Sequence, residues 1–310
     1  MSGRPTVEVD RRLPHGDEVF LDHVAHFVGD PQAASLALAR AGFAPTPPSV
    51  QVNPDPAGGP PRPSGTGNIT CMLDRGYLEV LFRTADTPLG REFDTAMARY
   101  CGVHLAAFAV ANAGAMHARL AQSGFRVQPL VAMQRPVESA AGADIAAFSV
   151  VRVAPGEMPE GRIQALTHRT EHTVWQPRWL AQPNGAIGLL DIVIAEADVE
   201  EAAGRFQRFL DCLPRADQFG PAFHLDRGRV QLVSAASLTG LFPKLAIPVL
   251  PFMAAYGIAV RSLDLVAACL QSGVLAFDRG DDCVIAPFPD QLGIGCWIFV
   301  ESAAALPWRR

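Results

Sequence analysis

The stretch Phe20-Leu21-Asp22-His23-Val24-Ala25-His26-Phe27-Val28 is an apolar run broken by one aspartate and two histidines. It predicts a buried strand. A helix should follow over residues 31–41, capped by Asp30, with Pro31 at its first position and Gly42-Phe43 as its stop. The pattern returns at Gly102-Val103-His104-Leu105-Ala106-Ala107-Phe108-Ala109-Val110, which leads into a helix ending at Ser123-Gly124-Phe125. The first block closes on Gly76-Tyr77-Leu78-Glu79-Val80-Leu81-Phe82, an apolar strand holding one carboxylate. Such self-similarity marks a duplicated unit.

Two weaker copies follow. One opens at Gly188-Leu189-Leu190-Asp191-Ile192-Val193-Ile194 and closes at Gly228-Arg229-Val230-Gln231-Leu232-Val233. The other holds Tyr256-Gly257-Ile258-Ala259-Val260 and ends on Gly295-Cys296-Trp297-Ile298-Phe299-Val300. The chain therefore reads as four strand–helix–three-strand units. Inner strands are expected near 49–52, 68–73 and 146–153. The Pro/Gly-dense residues 53–65 read as a surface loop, or as a lid over a pocket. Turn-rich residues from His172 to Gly185 divide the units into two pairs. The expected division is a flexible N-terminus (1–18), a first pair with the site (19–171), a linker (172–185), a second pair (186–303) and a tail (304–310).

With 310 residues, 49% hydrophobic and 18% charged, the chain can bury a large core. A net charge of −5 without an Arg/Lys cluster argues against nucleic acid as a partner. No run approaches about 18 apolar residues, and Met1–Glu18 lacks a secretory core, so no membrane partner and a cytoplasmic location are expected. Six scattered cysteines read as small buried hydrophobes.

Leu21-Asp22-His23-Val24, the Gly42-Phe43 stop, Tyr77-Leu78-Glu79-Val80 and the stretch from Gly102 to Phe125 resemble the vicinal oxygen chelate superfamily, and within it the glyoxalase-like proteins. The junction Trp175-Gln176-Pro177-Arg178-Trp179 with Pro183-Asn184-Gly185-Ala186 is similar to one in a bacterial glyoxalase-like subgroup. The resemblance implies an α+β fold of four βαβββ modules, arranged as two paired-module domains with curled mixed sheets. It also implies a divalent metal (Zn, Ni, Mn or Fe) in a cup. Carried over residue by residue, the ligand positions are His23, Glu79, His104 and Gln164, where Gln164 replaces a more usual carboxylate.

Strand alternation agrees in part. His23 shares a face with Leu21, Ala25 and Phe27; Asp22, Val24 and His26 share the other. His23 and His26 thus cannot meet one ion from a regular strand. A carboxylate between Leu78 and Val80 is costly to bury unless paired. Gln164 reads either as a ligand or as a hydrogen-bond partner of a bound water or substrate. His168 has the same parity but lies about 13 Å further along, and reads as a solvated strand end or as a substrate contact at the rim of the cup. His26, His117, His172 and His224 read as structural or exposed, and Trp175 with Trp179 as inter-domain packing or as an aromatic wall. The second pair has Ile192, Gln231, Met253, Trp297 and Phe299 at the corresponding places, so a domain without metal ligands is expected.

The implied chemistry is that of a lyase or isomerase. A metal would chelate neighbouring oxygens of a small-molecule substrate and stabilise an enediolate, with Glu79 and Gln164 as the catalytic residues. Two alternatives stand beside it: an Fe(II)-dependent dioxygenase, and a non-catalytic cup that sequesters a small molecule. Either a monomer or a homodimer is compatible with two pairs in one chain.

Overall fold

The computed structural model describes residues 10–55 and 57–309; Pro56, within the predicted loop, and residues 1–9 of the predicted N-terminal segment lie outside it. The first module runs β1 (Val19–Phe27), α1 (Pro31–Arg40), β2 (Ser49–Asn53), β3 (Arg62–Met72), β4 (Tyr77–Arg83). A connecting helix, α2 (Pro88–Arg99), leads to β5 (Gly102–Val110), α3 (Ala113–Gln122), β6 (Val131–Ser139), β7 (Gly142–Arg152) and β8 (Arg162–His168). After α4 (Glu171–Val174) come β9 (Ala186–Glu196), α5 (Val199–Leu210), β10 (Arg215–Asp217), β11 (Gly220–His224) and β12 (Arg229–Ser234). Helix α6 (Ala235–Leu241) precedes β13 (Phe252–Val260), α7 (Leu263–Ser272), β14 (Asp278–Arg279), β15 (Cys283–Pro287) and β16 (Cys296–Val300). The fold is α+β, built of four βαβββ modules.

In the first pair the strand order is β1-β4-β3-β2-β6-β7-β8-β5, and β5 pairs back to β1, so the sheet closes into a cup. The second pair forms the curled sheet β10-β11-β12-β9-β13-β16-β15-β14. The two meet where Val103 of β5 pairs with Met253 of β13. The main core lies between them and joins Leu21, Val24 and Phe108 to Ile192, Phe209, Tyr256 and Trp297. A separate cluster (Phe27, Tyr77, Leu105, Phe148, Leu166, Trp175) lines the first cup.

Local signals behave as their chemistry requires. Asp30 caps α1 by accepting from the Ala33 amide, with Pro31 at the first turn. Gly42 ends the helix at φ +78°, and a Cβ there would stand 2.7 Å from Cys269 of α7. Both demands select glycine.

Some expectations need correction. Residues 62–65 are not loop but the start of β3. Strand β6 and helix α2 had no counterpart in the sequence reading. Residues 10–18 are tied down rather than flexible, since Arg227 donates to the carbonyls of Arg11 and Arg12. Trp175 is part of the first cup, where its indole N–H donates to the Leu73 carbonyl. Cys71 and Cys296 are buried, whereas Cys101 is exposed.

Candidate functional site

Two irregularities in the β1–β5 ladder decide which side chains reach the cup. Leu21 pairs with Phe108 and His23 with Ala107, which leaves Asp22 as an extra residue on β1. Further along, Ala25 pairs with Leu105 and His26 with Val103, which leaves His104 as the extra residue on β5. A bulge releases its residue from strict alternation and re-aims the side chain.

The first bulge lets Asp22 and His23 act together. Asp22 accepts from Nδ1 of His23 at 2.8 Å and from Nε2 of His168 at 3.0 Å. All three side chains are buried. Burial alone would raise the Asp22 pKa, but the two imidazoles hold it well below the usual carboxylate range. Asp22 therefore stays ionised and fixes the His23 tautomer, so that Nε2 faces into the cup. Tyr77 stacks on the His23 ring with centroids 4.4 Å apart. Gly76 permits this start of β4: a Cβ there would lie 2.6 Å from the Asp22 carbonyl oxygen.

Nε2 of His23 lies 3.5 Å from Oε2 of Glu79. The other Glu79 oxygen accepts from the Asn68 amide at 2.6 Å. Gln164 lines the same cup, and its carbonyl oxygen accepts from Nε of Arg152 at 3.2 Å. Arg135 and Arg162 complete the polar lining. The gap among these groups is partly open to solvent. Burial pulls all three arginines below their ordinary pKa, opposed in each by the charge of Glu79; Arg152, next to Arg162, falls to about 9.

The structure thus brings His23, Glu79 and Gln164 together and leaves His104 out. Leu105 occupies the cup position on β5. The His104 ring packs 4.0 Å from Tyr100 and donates from Nε2 to the Tyr100 carbonyl oxygen at 2.7 Å. Burial lowers its pKa to about 4. His26 points to the second pair: its Nδ1 donates to the Leu292 carbonyl oxygen and its Nε2 accepts from the Tyr256 hydroxyl. His168 is no solvated strand end; it is buried between Trp175 and Phe148 and belongs to the Asp22 network. The sequence reading assigned no role in the site to Asp22, Asn68, Arg135, Arg152 or Arg162. Asp22 and Asn68 carry one sequence signal, polarity inside a buried strand, and the three arginines carry none.

A divalent ion is the family's expectation, and the donor set does not complete its site. His23 and Glu79 offer two donors, Gln164 is engaged by Arg152, and three guanidiniums stand alongside. Among the described residues no group of three or more His, Cys, Asp or Glu side chains is placed to hold a metal.

Residues 21–210 match the model of the glyoxalase-like domain family. The chain belongs to that family. No curated protein matches it. Among solved structures, a hypothetical protein from Staphylococcus aureus superposes with a TM-score of 0.64 at 8% identity, over 91% of this chain and 98% of that one. A mutant of 4-hydroxymandelate synthase from Streptomyces coelicolor gives 0.52 at 13% identity, over 94% and 97%. A Mn(II)-bound glyoxalase from Novosphingobium aromaticivorans gives 0.49 at 12% identity, over 91% and 81%. The first two likenesses show a shared fold and nothing finer. No helix among its described residues is long and apolar enough to cross a membrane.

Proposed function

We propose that the first cup is the active site of a lyase or isomerase that moves a proton on a small carbonyl compound, with His23 and Glu79 as the acid–base pair. The observation that carries this reading is the buried chain His168–Asp22–His23, which ends with Nε2 of His23 facing Glu79. Nε2 of His23 takes a proton from the carbon next to the carbonyl, and the freed electron pair moves onto the carbonyl oxygen. Ionised Asp22 stabilises the imidazolium that forms. Glu79, oriented by Asn68, shares that proton and allows its return to a neighbouring carbon. Arg152 and Arg162 stand ready to stabilise the oxyanion. The test is solvent deuterium incorporation into a panel of small oxo and hydroxy compounds. Positioned acid–base groups typically contribute about 10²–10⁴-fold, so His23→Asn and Glu79→Gln should lose that much. Exchange that is indifferent to both substitutions refutes the reading.

A metal-dependent form of this chemistry is the second reading. Nε2 and Oε2 face each other across 3.5 Å, and Asp22 holds His23 as outer carboxylates hold ligand histidines. Metal analysis of protein purified without chelator separates the two. A stoichiometric divalent ion that is lost in both His23→Ala and Glu79→Ala supports the second. Bound iron with oxygen consumption would point to a dioxygenase, and ligand retention without turnover to sequestration.

A further inference from the structure

The cup holds more positive charge than its own side chains neutralise. Arg135 is 8% exposed, and among the described residues neither it nor Arg152 has a carboxylate within ion-pair distance. Arg162 reaches Glu92 only at 3.8 Å, on a partner that is 43% exposed. Glu79 is the one carboxylate lining the cup with these three guanidiniums, and it is already engaged by Asn68 and His23. A buried guanidinium without a counter-ion is costly, and arginine's planar fork matches carboxylate and phosphate oxygens. Arg152 meanwhile spends its Nε–H on the neutral amide of Gln164.

We propose that the cup recognises its substrate by an oxyanion group, a carboxylate or a phosphate, seated among Arg135, Arg152 and Arg162. This deepens the proton-transfer reading by naming the substrate class. The guanidiniums hold the anionic end, and the reacting carbon then lies toward His23. On binding, Arg152 exchanges the Gln164 amide for a charged acceptor.

The test is calorimetric titration of the full chain with oxalate, with inorganic phosphate and with neutral oxamide, at constant ionic strength. Oxalate or phosphate should bind and oxamide should not; the tighter anion identifies the group. Arg135→Gln and Arg152→Gln should each weaken binding at least about tenfold, the scale of one lost charge-assisted hydrogen bond. In the unaltered protein, the bound anion should protect Arg135 and Arg152 from phenylglyoxal, read by peptide mapping, which avoids dependence on a variant's folding. Absence of binding by both anions overturns the proposal, as does unchanged labelling of both arginines. Because binding is read without turnover, the proposal stands or falls separately from the catalytic reading.

Discussion

Asp22→Asn is the substitution that interrogates the site most directly. It keeps the volume, so no cavity confounds the result, but it replaces an acceptor of two N–H bonds with a group having one acceptor and one donor. Asp22 now accepts from His23 at 2.8 Å and from His168 at 3.0 Å, in a buried setting. A hydrogen bond to a charged group contributes about 1.5–3 kcal/mol, so the variant should lose about 3–5 kcal/mol at pH 7. The pH dependence adds a second constraint. The two histidines hold the Asp22 carboxyl well below the ordinary carboxylate range despite its burial. A depressed pKa contributes stability that is present above the unfolded value, about 3.9, and is lost only as pH falls through the folded value. The gap between wild type and variant should therefore persist from pH 7 to pH 4.5. Urea unfolding read by tryptophan fluorescence measures it, since Trp175 lies 4.8 Å from the His168 ring. A gap below about 1 kcal/mol at pH 7, or one that has already collapsed at pH 5, would refute the network's role.

Two further substitutions probe the join between the pairs. Burial and the neighbouring charge of Glu160 push Glu196 up to about 8; such a raised pKa favours folding below the ordinary carboxylate value and loses that contribution as pH climbs to 8. The wild-type melting temperature should thus fall from pH 5 to pH 8, and Glu196→Gln should flatten that decline; parallel curves would contradict the assignment. His26→Ala removes a ring that bonds Leu292 and Tyr256, and should cost about 2–4 kcal/mol in urea unfolding. Oxalate or phosphate affinity should not change, and a tenfold loss would mean that His26 communicates with the cup.

The legible and illegible parts of this protein divide along physical lines. Strands β1, β4 and β5 were legible because buried strands are continuous apolar runs, and Glu79 stood out because a carboxylate inside such a run needs a partner. Strand β6 was not, since Val131–Ser139 is only partly buried and Pro136 sits in its middle, which reads as a break. Arg135 was hidden with it. Arg152 and Arg162 end and begin their strands, where an arginine is ordinarily a solvated flank. His104, carried over by resemblance, stands outside the cup because a bulge resets the two-residue period and leaves no mark in the sequence. A one-residue offset exchanges the cup face for the outer face.

The same two bulges explain why a shared fold need not share a site. On β5 the offset withdraws His104 and presents Leu105, which removes a neutral donor from the cup. On β1 it brings in Asp22, an anion that holds His23 and His168 without itself lining the cavity. The third module keeps an aspartate at the corresponding place, Asp191, but spends it differently. Asp191 accepts from the Trp308 indole at 2.7 Å and from Arg309, so the second sheet is filled by the chain's own C-terminal segment. One buried aspartate thus orders a pair of histidines in the first pair and anchors a tryptophan plug in the second. The slots differ, since Asp22 is the bulged residue of β1 whereas Asp191 pairs with Gly257 and the bulge of β9 falls on Leu190, so each aspartate is aimed at a different partner.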